Sequence, residues 1–179
     1  MPEGRDSFGA CVVGTDVYVI GGQTDNEETT DTVFRYSTVA DEWSTLAPMP
    51  EARTGCQACA LGDMDMVYVV GGRAGNWSQL SSVCRFDPAS GSWSTVAPMS
   101  TARSDFGLFV LGGCIYAAGG LRTEQSVEKY DPDTDSWSDV SPMLEGRWSF
   151  RAQSVTTRAD IVEKKLVDML IAKAARRQG

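Results

Sequence analysis

Val17-Tyr18-Val19-Ile20-Gly21-Gly22 returns as Val67-Tyr68-Val69-Val70-Gly71-Gly72 and once more as Ile115-Tyr116-Ala117-Ala118-Gly119-Gly120. Runs of β-branched and aromatic residues that stop on a glycine pair predict strands, and the glycines mark a turn where a side chain would obstruct the chain. Working outward, the same company surrounds each copy. An arginine (Arg5, Arg53, Arg103) and a short apolar run precede it. Behind it come a third run holding Tyr36, Phe86 or Tyr130 and a fourth opened by Trp43, Trp93 or Trp137. The aromatic and the tryptophan stand seven residues apart every time.

Each unit thus holds four short β-rich runs separated by turn formers such as Gly62-Asp63, Asp87-Pro88 and Asp131-Pro132-Asp133. That pattern favours antiparallel meanders over crossover helices. The units open at Met1, Met49, Met99 and Met143. Residues 1–48, 49–98 and 99–142 are complete units, and 143–155 begin a fourth with Arg147. Residues 156–179 differ in kind. They carry six Lys/Arg against three Asp/Glu, leaving ten against 21 for residues 1–155. Thr157 and Asp160 resemble a capping box, Ile161, Val162, Leu166, Val167, Leu170 and Ile171 supply an apolar stripe, and Arg176 and Arg177 suit a C-terminal dipole; together they predict an amphipathic helical tail over roughly 158–176.

A period of 44 to 50 residues with a glycine pair and a tryptophan in each unit resembles the kelch repeat. The wording MPxxR, VYVxGG and YDPxTxxW is most similar to the propellers of Kelch-like proteins of the BTB-Kelch group. The resemblance implies a mainly β fold: a partial kelch β-propeller of three four-stranded antiparallel blades, followed by a C-terminal α-helix. It implies a protein-binding module and not an enzyme. Propellers of that group select targets for cullin-RING ubiquitin ligases, while separate BTB and BACK domains, neither of which is found in this sequence, bind the cullin. An actin-binding or scaffolding kelch protein is the alternative. Kelch propellers usually close with five to seven blades, so three blades are expected to self-associate or to be part of a longer array. The opening at a repeat boundary reads as truncation.

The resemblance also assigns roles. The repeated arginines Arg5, Arg53, Arg103 and Arg147, the glycines Gly21, Gly22, Gly71, Gly72, Gly119 and Gly120, and the tryptophans Trp43, Trp93 and Trp137 are structural anchors, with each tryptophan expected to cover a sheet face against the next blade. Kelch units commonly place a Glu two residues before the aromatic of the third strand; here only Glu128 does, with Phe34 and Cys84 in its place elsewhere. The loops 23–32, 73–82 and 121–126, with the arginine segments, are expected on one face that receives a protein or peptide partner. Arg73, Trp77, Arg122 and Trp148 are the candidate contacts, because Arg and aromatics dominate interface energetics. Peptide-binding relatives often carry further arginines two residues after the repeated one. Ser7, Gly55, Asp105 and Ser149 stand there instead, which does not support an acidic-peptide pocket of that design.

Composition narrows the rest. The net charge of −8 argues against nucleic acid. No apolar run approaches the roughly 18 residues of a membrane span, so no membrane partner is expected and the chain reads as cytoplasmic. The five cysteines are an odd set scattered through apolar strands, as for reduced thiols. With no histidine in the sequence, Ser-His and Cys-His nucleophile systems have no base. Cys56-x-x-Cys59 lacks partners for a zinc shell, and its spacing on a strand sends the two thiols to opposite faces. No cofactor or metal is predicted.

Overall fold

The computed structural model describes residues 1–62 and 66–150. The predicted helix over roughly 158–176, in the tail segment 156–179, lies outside the described residues. Strand β1 (Arg5–Asp6) is followed by β2 (Gly9–Val13), β3 (Asp16–Ile20), β4 (Gln23–Thr24), β5 (Val33–Ser37) and β6 (Glu42–Thr45). The second unit forms β7 (Gln57–Leu61), β8 (Met66–Val70), β9 (Val83–Asp87) and β10 (Ser92–Val96). The third forms β11 (Gly107–Leu111), β12 (Cys114–Ala118), β13 (Val127–Asp131) and β14 (Ser136–Val140). The described residues contain no helix, and each unit builds one four-stranded antiparallel meander, in the orders β2-β3-β5-β6, β7-β8-β9-β10 and β11-β12-β13-β14.

Register explains the seven-residue spacing. Tyr36 lies directly opposite Trp43, Phe86 opposite Trp93, and Tyr130 opposite Trp137. Their ring centroids are 5.1, 5.0 and 5.2 Å apart, a tilted geometry that suits aromatic quadrupoles. The turn between them carries a matched signal. Tyr36 and Tyr130 donate their hydroxyls to Asp41 and Asp135, two residues held at positive φ. In the second unit Phe86, which has no hydroxyl, faces Gly91 at the same turn position.

The core lies between the sheets. One cluster joins Tyr18, Ile20 and Val33 of the first sheet to Val67, Val69 and Phe86 of the second; the other joins Tyr68, Val70 and Val83 of the second to Phe106, Ile115 and Tyr130 of the third. Alternate residues of β8 thus serve opposite interfaces, as a two-residue period requires. Cys56 and Cys59 divide the same way, one in each cluster. The expected direction of the tryptophans is corrected for two of the three: Trp93 and Trp137 face the preceding sheet. Trp93 donates Nε1–H to the Ala47 carbonyl at 3.0 Å, and Trp137 to that of Ala97 at 2.9 Å. The reason is register, since Phe86 and Tyr130, opposite the tryptophans, point to that same side.

Arginine and glycine recur together because they bind one another. The Nη1 groups of Arg5, Arg53 and Arg103 donate to the carbonyls of Gly21, Gly71 and Gly119 in their own units, at 3.1, 3.0 and 2.9 Å. The second glycine of each pair reaches the following unit: the amides of Gly22, Gly72 and Gly120 donate to the carbonyls of Arg53, Arg103 and Arg147. At Gly71, with φ of 58°, a Cβ would stand 2.5 Å from the Arg103 carbonyl oxygen, so the close approach itself demands glycine.

Counter-ions differ by unit. Arg103 pairs with Glu128, Nη2 to Oε1 at 2.9 Å, with both side chains fully buried. Where Phe34 and Cys84 replace that glutamate, the carboxylate comes from two residues before the arginine. Glu3 bonds Arg5 at 2.8 Å and Glu51 bonds Arg53 at 3.2 Å. The Phe34 ring also lies beneath the Arg5 guanidinium at 4.2 Å. The substitution is incomplete: Nε of Arg5 and Nε of Arg53 are buried without an acceptor, whereas Nε of Arg103 donates to Glu128. Arg147 departs from the other anchors. Its carbonyl serves Gly120, but its side chain is half exposed beside Glu145.

Candidate functional site

The strands run to and fro, so the loops after β3, β8 and β12 emerge at the same end as the segments that precede β2, β7 and β11. Both sets share one face. Sequence-adjacent sheets are stitched there by main-chain bonds: the Gly55 amide donates to the Ser7 carbonyl at 2.7 Å, Asp105 to Gly55 at 3.0 Å, and Ser149 to Asp105 at 2.7 Å. All four residues have positive φ. These are the positions two residues after each repeated arginine. The result is a ladder running from sheet to sheet along the rim, built before any side chain is considered.

The longer loops are hairpins on that rim. Glu27 and Trp77 occupy the left-handed position of equivalent turns, with φ of 62° and 65°, and their amides bond back to Thr24 and Ala74. Strand β1 pairs with β4 beside the first hairpin, and Thr54 bridges Arg73 beside the second. Gln79 ties its loop to the next, donating to the Ser104 hydroxyl and the Leu121 carbonyl. A rim fixed this way presents side chains without first ordering its backbone.

The structure brings two of the four candidates together. Arg73 lies 5.4 Å from the ring centroid of Trp77 and forms a 2.6 Å ion pair with Asp105. Its guanidinium is therefore held as a positioning group as much as offered to a partner. Trp77 is 57% exposed and Trp148 is 59% exposed, both on the rim. Arg122 is exposed with φ of 68° and lines a shallow cleft of about 340 Å³ with Glu124, Gln125 and Gly146. A larger open cleft of about 590 Å³ lies between Trp77 and the first hairpin and is bordered by Asp6, Asp25 and Glu27. In sequence, Asp105 carried no role beyond its place two residues after the repeated arginine. Gly55, the one glycine among the four ladder positions, was the available signal.

Burial pushes the Cys11 thiol up to about 12 and the Cys84 thiol to about 11, the opposite of the depression a nucleophilic thiolate needs. Among the described residues no group of three or more His, Cys, Asp or Glu is placed to hold a metal ion.

Comparison with known proteins agrees with this architecture. A family model described as the KLHDC2/KLHL20/DRC7 Kelch-repeats domain matches residues 1–120, and the Kelch motif matches residues 102–144. The chain is similar to Kelch-like protein 25 of Xenopus tropicalis, 42% identical over 55 residues, which cover 31% of this chain and 9% of that protein. It is 44% identical over 59 residues to human Kelch-like protein 23, covering 32% of this chain and 11% of the relative. An F-box/kelch-repeat protein of Arabidopsis thaliana is 44% identical over 64 residues, covering 35% and 15%. The matches span about a tenth of the Kelch-like relatives' length.

Proposed function

The chain belongs to the kelch-repeat family, and from that premise we propose that it recognises protein targets for a cullin-RING ubiquitin ligase adaptor. Kelch-repeat domains are protein-interaction modules and generally not enzymes. The observation that carries the reading is the rim itself. Trp77 and Trp148 stand exposed on a face whose loops are locked by the ladder through Ser7, Gly55, Asp105 and Ser149. Large exposed aromatics on a rigid rim are what an anchored interface uses, and such residues commonly account for 2 kcal/mol or more, roughly, when truncated. The similarity to Kelch-like proteins and to an F-box/kelch-repeat protein supports the choice of a ligase-linked partner over other binding roles.

The test is affinity capture from cells with the chain and its Trp77→Ala/Trp148→Ala variant, followed by a ubiquitylation assay on whatever protein is lost from the variant. Capture of one target by the native rim, its loss from a variant that unfolds at the same temperature, and its cullin-dependent modification are the expected results. Cosedimentation with filamentous actin, with no modified target, would replace this reading by the actin-binding one.

A further inference from the structure

The two inter-sheet contacts in this chain are the same contact repeated. At each, a tyrosine of one sheet meets the aromatic of the next: Tyr18 with Phe86 at 6.4 Å and Tyr68 with Tyr130 at 5.7 Å. At each, a tryptophan donates to the carbonyl two residues before a buried methionine: Trp93 to Ala47 before Met49, and Trp137 to Ala97 before Met99. The outward faces of the first and third sheets hold the unmatched halves of that contact. The third presents Tyr116, Val140 and Met143, all half-buried, at the positions where the second sheet buries Tyr68, Val96 and Met99. The first presents Tyr36 and Trp43, likewise half-buried, where the second buries Phe86 to 2% exposure. Among the described residues Trp43 Nε1 has no acceptor, and the Ser141 carbonyl occupies the place of Ala47 and Ala97.

We propose that the outward face of the third sheet receives the outward face of the first sheet from a second copy of this chain. Tyr116 of one copy meets Tyr36 of the other, and Trp43 donates to the Ser141 carbonyl. The occupant is specified by the chain: its first sheet carries the aromatic pair and the indole donor that the other two sheets already seat on this kind of surface. The contact is heterologous, one face against a different face. It closes on itself when each copy uses both faces.

Light scattering of the full chain across micromolar concentrations is expected to give twice the chain mass or a higher multiple. Trp43→Glu and Tyr116→Glu, each checked by thermal unfolding for an intact fold, should each weaken association by roughly ten-fold or more. Mixing the two variants should restore pairing, because one keeps a sound first-sheet face and the other a sound third-sheet face. Association that survives one variant and is lost in the other marks a like-with-like contact and overturns the proposal. A wild-type monomer at all concentrations overturns it as well, whether residues 151–179 then cover the third sheet or leave it open. Should a variant fail to fold, hydrogen exchange of the wild type decides: amides of β6 and β14 slow with rising concentration if the contact forms, and unchanged rates refute it.

Discussion

Arg103 and Glu128 form an ion pair with both side chains at 0% exposure and an Nη2–Oε1 distance of 2.9 Å. Every nitrogen and oxygen of the two charged groups is hydrogen-bonded. Glu128 also accepts from the Ser100 amide and hydroxyl and from the Thr101 amide, and Arg103 also donates to the carbonyls of Gly119 and Ser126.

Removing one partner strands the other charge. Glu128→Ala is expected to cost about 3–5 kcal/mol, the range for breaking a buried pair, read from the midpoint of urea unfolding. Trimming Glu51, whose side chain is 44% exposed, should cost less, since water can reach the place its carboxylate leaves, although the Arg53 guanidinium, 2% exposed, loses its counter-ion. Equal losses at the two sites would refute this ranking.

The same pair sets an acid response. Burial alone would raise the Glu128 carboxyl, but hydrogen bonds from Arg103 and from the Ser100 hydroxyl and amide outweigh it and hold the group below its ordinary 4.5. A depressed carboxyl binds fewer protons folded than unfolded, so stability rises with pH. Its contribution is present above pH 4.5 and is lost as the pH falls through the depressed value. Urea midpoints measured from neutral to acid pH should fall more steeply for the wild type than for Glu128→Gln.

The unpaired Nε of Arg53 predicts a rescue. Cys84→Glu/Glu51→Thr/Pro50→Ser copies the third unit's arrangement into the second, giving that Nε the acceptor it lacks and supplying, in place of Pro50, the amide and hydroxyl that Ser100 donates to Glu128. The triple variant is expected to fall within about 1 kcal/mol of wild type, because it leaves the arginine paired and the carboxylate hydrogen-bonded. A loss as large as that of Glu128→Ala would mean the two units are not interchangeable at this position.

Gly71→Ala should destabilise the chain by more than the roughly 1–2 kcal/mol that a left-handed residue costs by itself. Its Cβ meets main chain at 2.5 Å, and main chain cannot swing aside. Gly75→Ala, on an open loop with nothing within 4 Å, should be close to neutral. Thermal unfolding of both variants separates the close approach from general glycine loss.

The meanders were legible because strand, glycine pair and tryptophan recur, and each recurrence has a physical cause: the arginine binds the glycine carbonyl and the tryptophan lies opposite the aromatic. The rim was less legible. Arg5–Asp6 pairs with Gln23–Thr24 over two residues each, too short for any alternation to register. Ser7, Asp105 and Ser149 adopt positive φ without being glycine, so composition alone hides the ladder. Glu3 and Glu51 went unread as counter-ions because they occupy the loop and not the strand position of Glu128. Arg73 looked like a free contact in sequence, yet it is engaged by Asp105, a partner 32 residues away.

Every rung of that ladder is made from an amide and a carbonyl, so its bonds do not depend on the side chains at residues 7 and 149, provided the left-handed turn is tolerated. Asparagine, aspartate, serine and glycine can be exchanged at those two positions, whereas a Cβ at Gly55 would stand 2.9 Å from the Asp105 carboxylate, which in turn holds Arg73. Specificity at residues 7 and 149 can therefore drift, or be rewritten, independently of the frame that displays it.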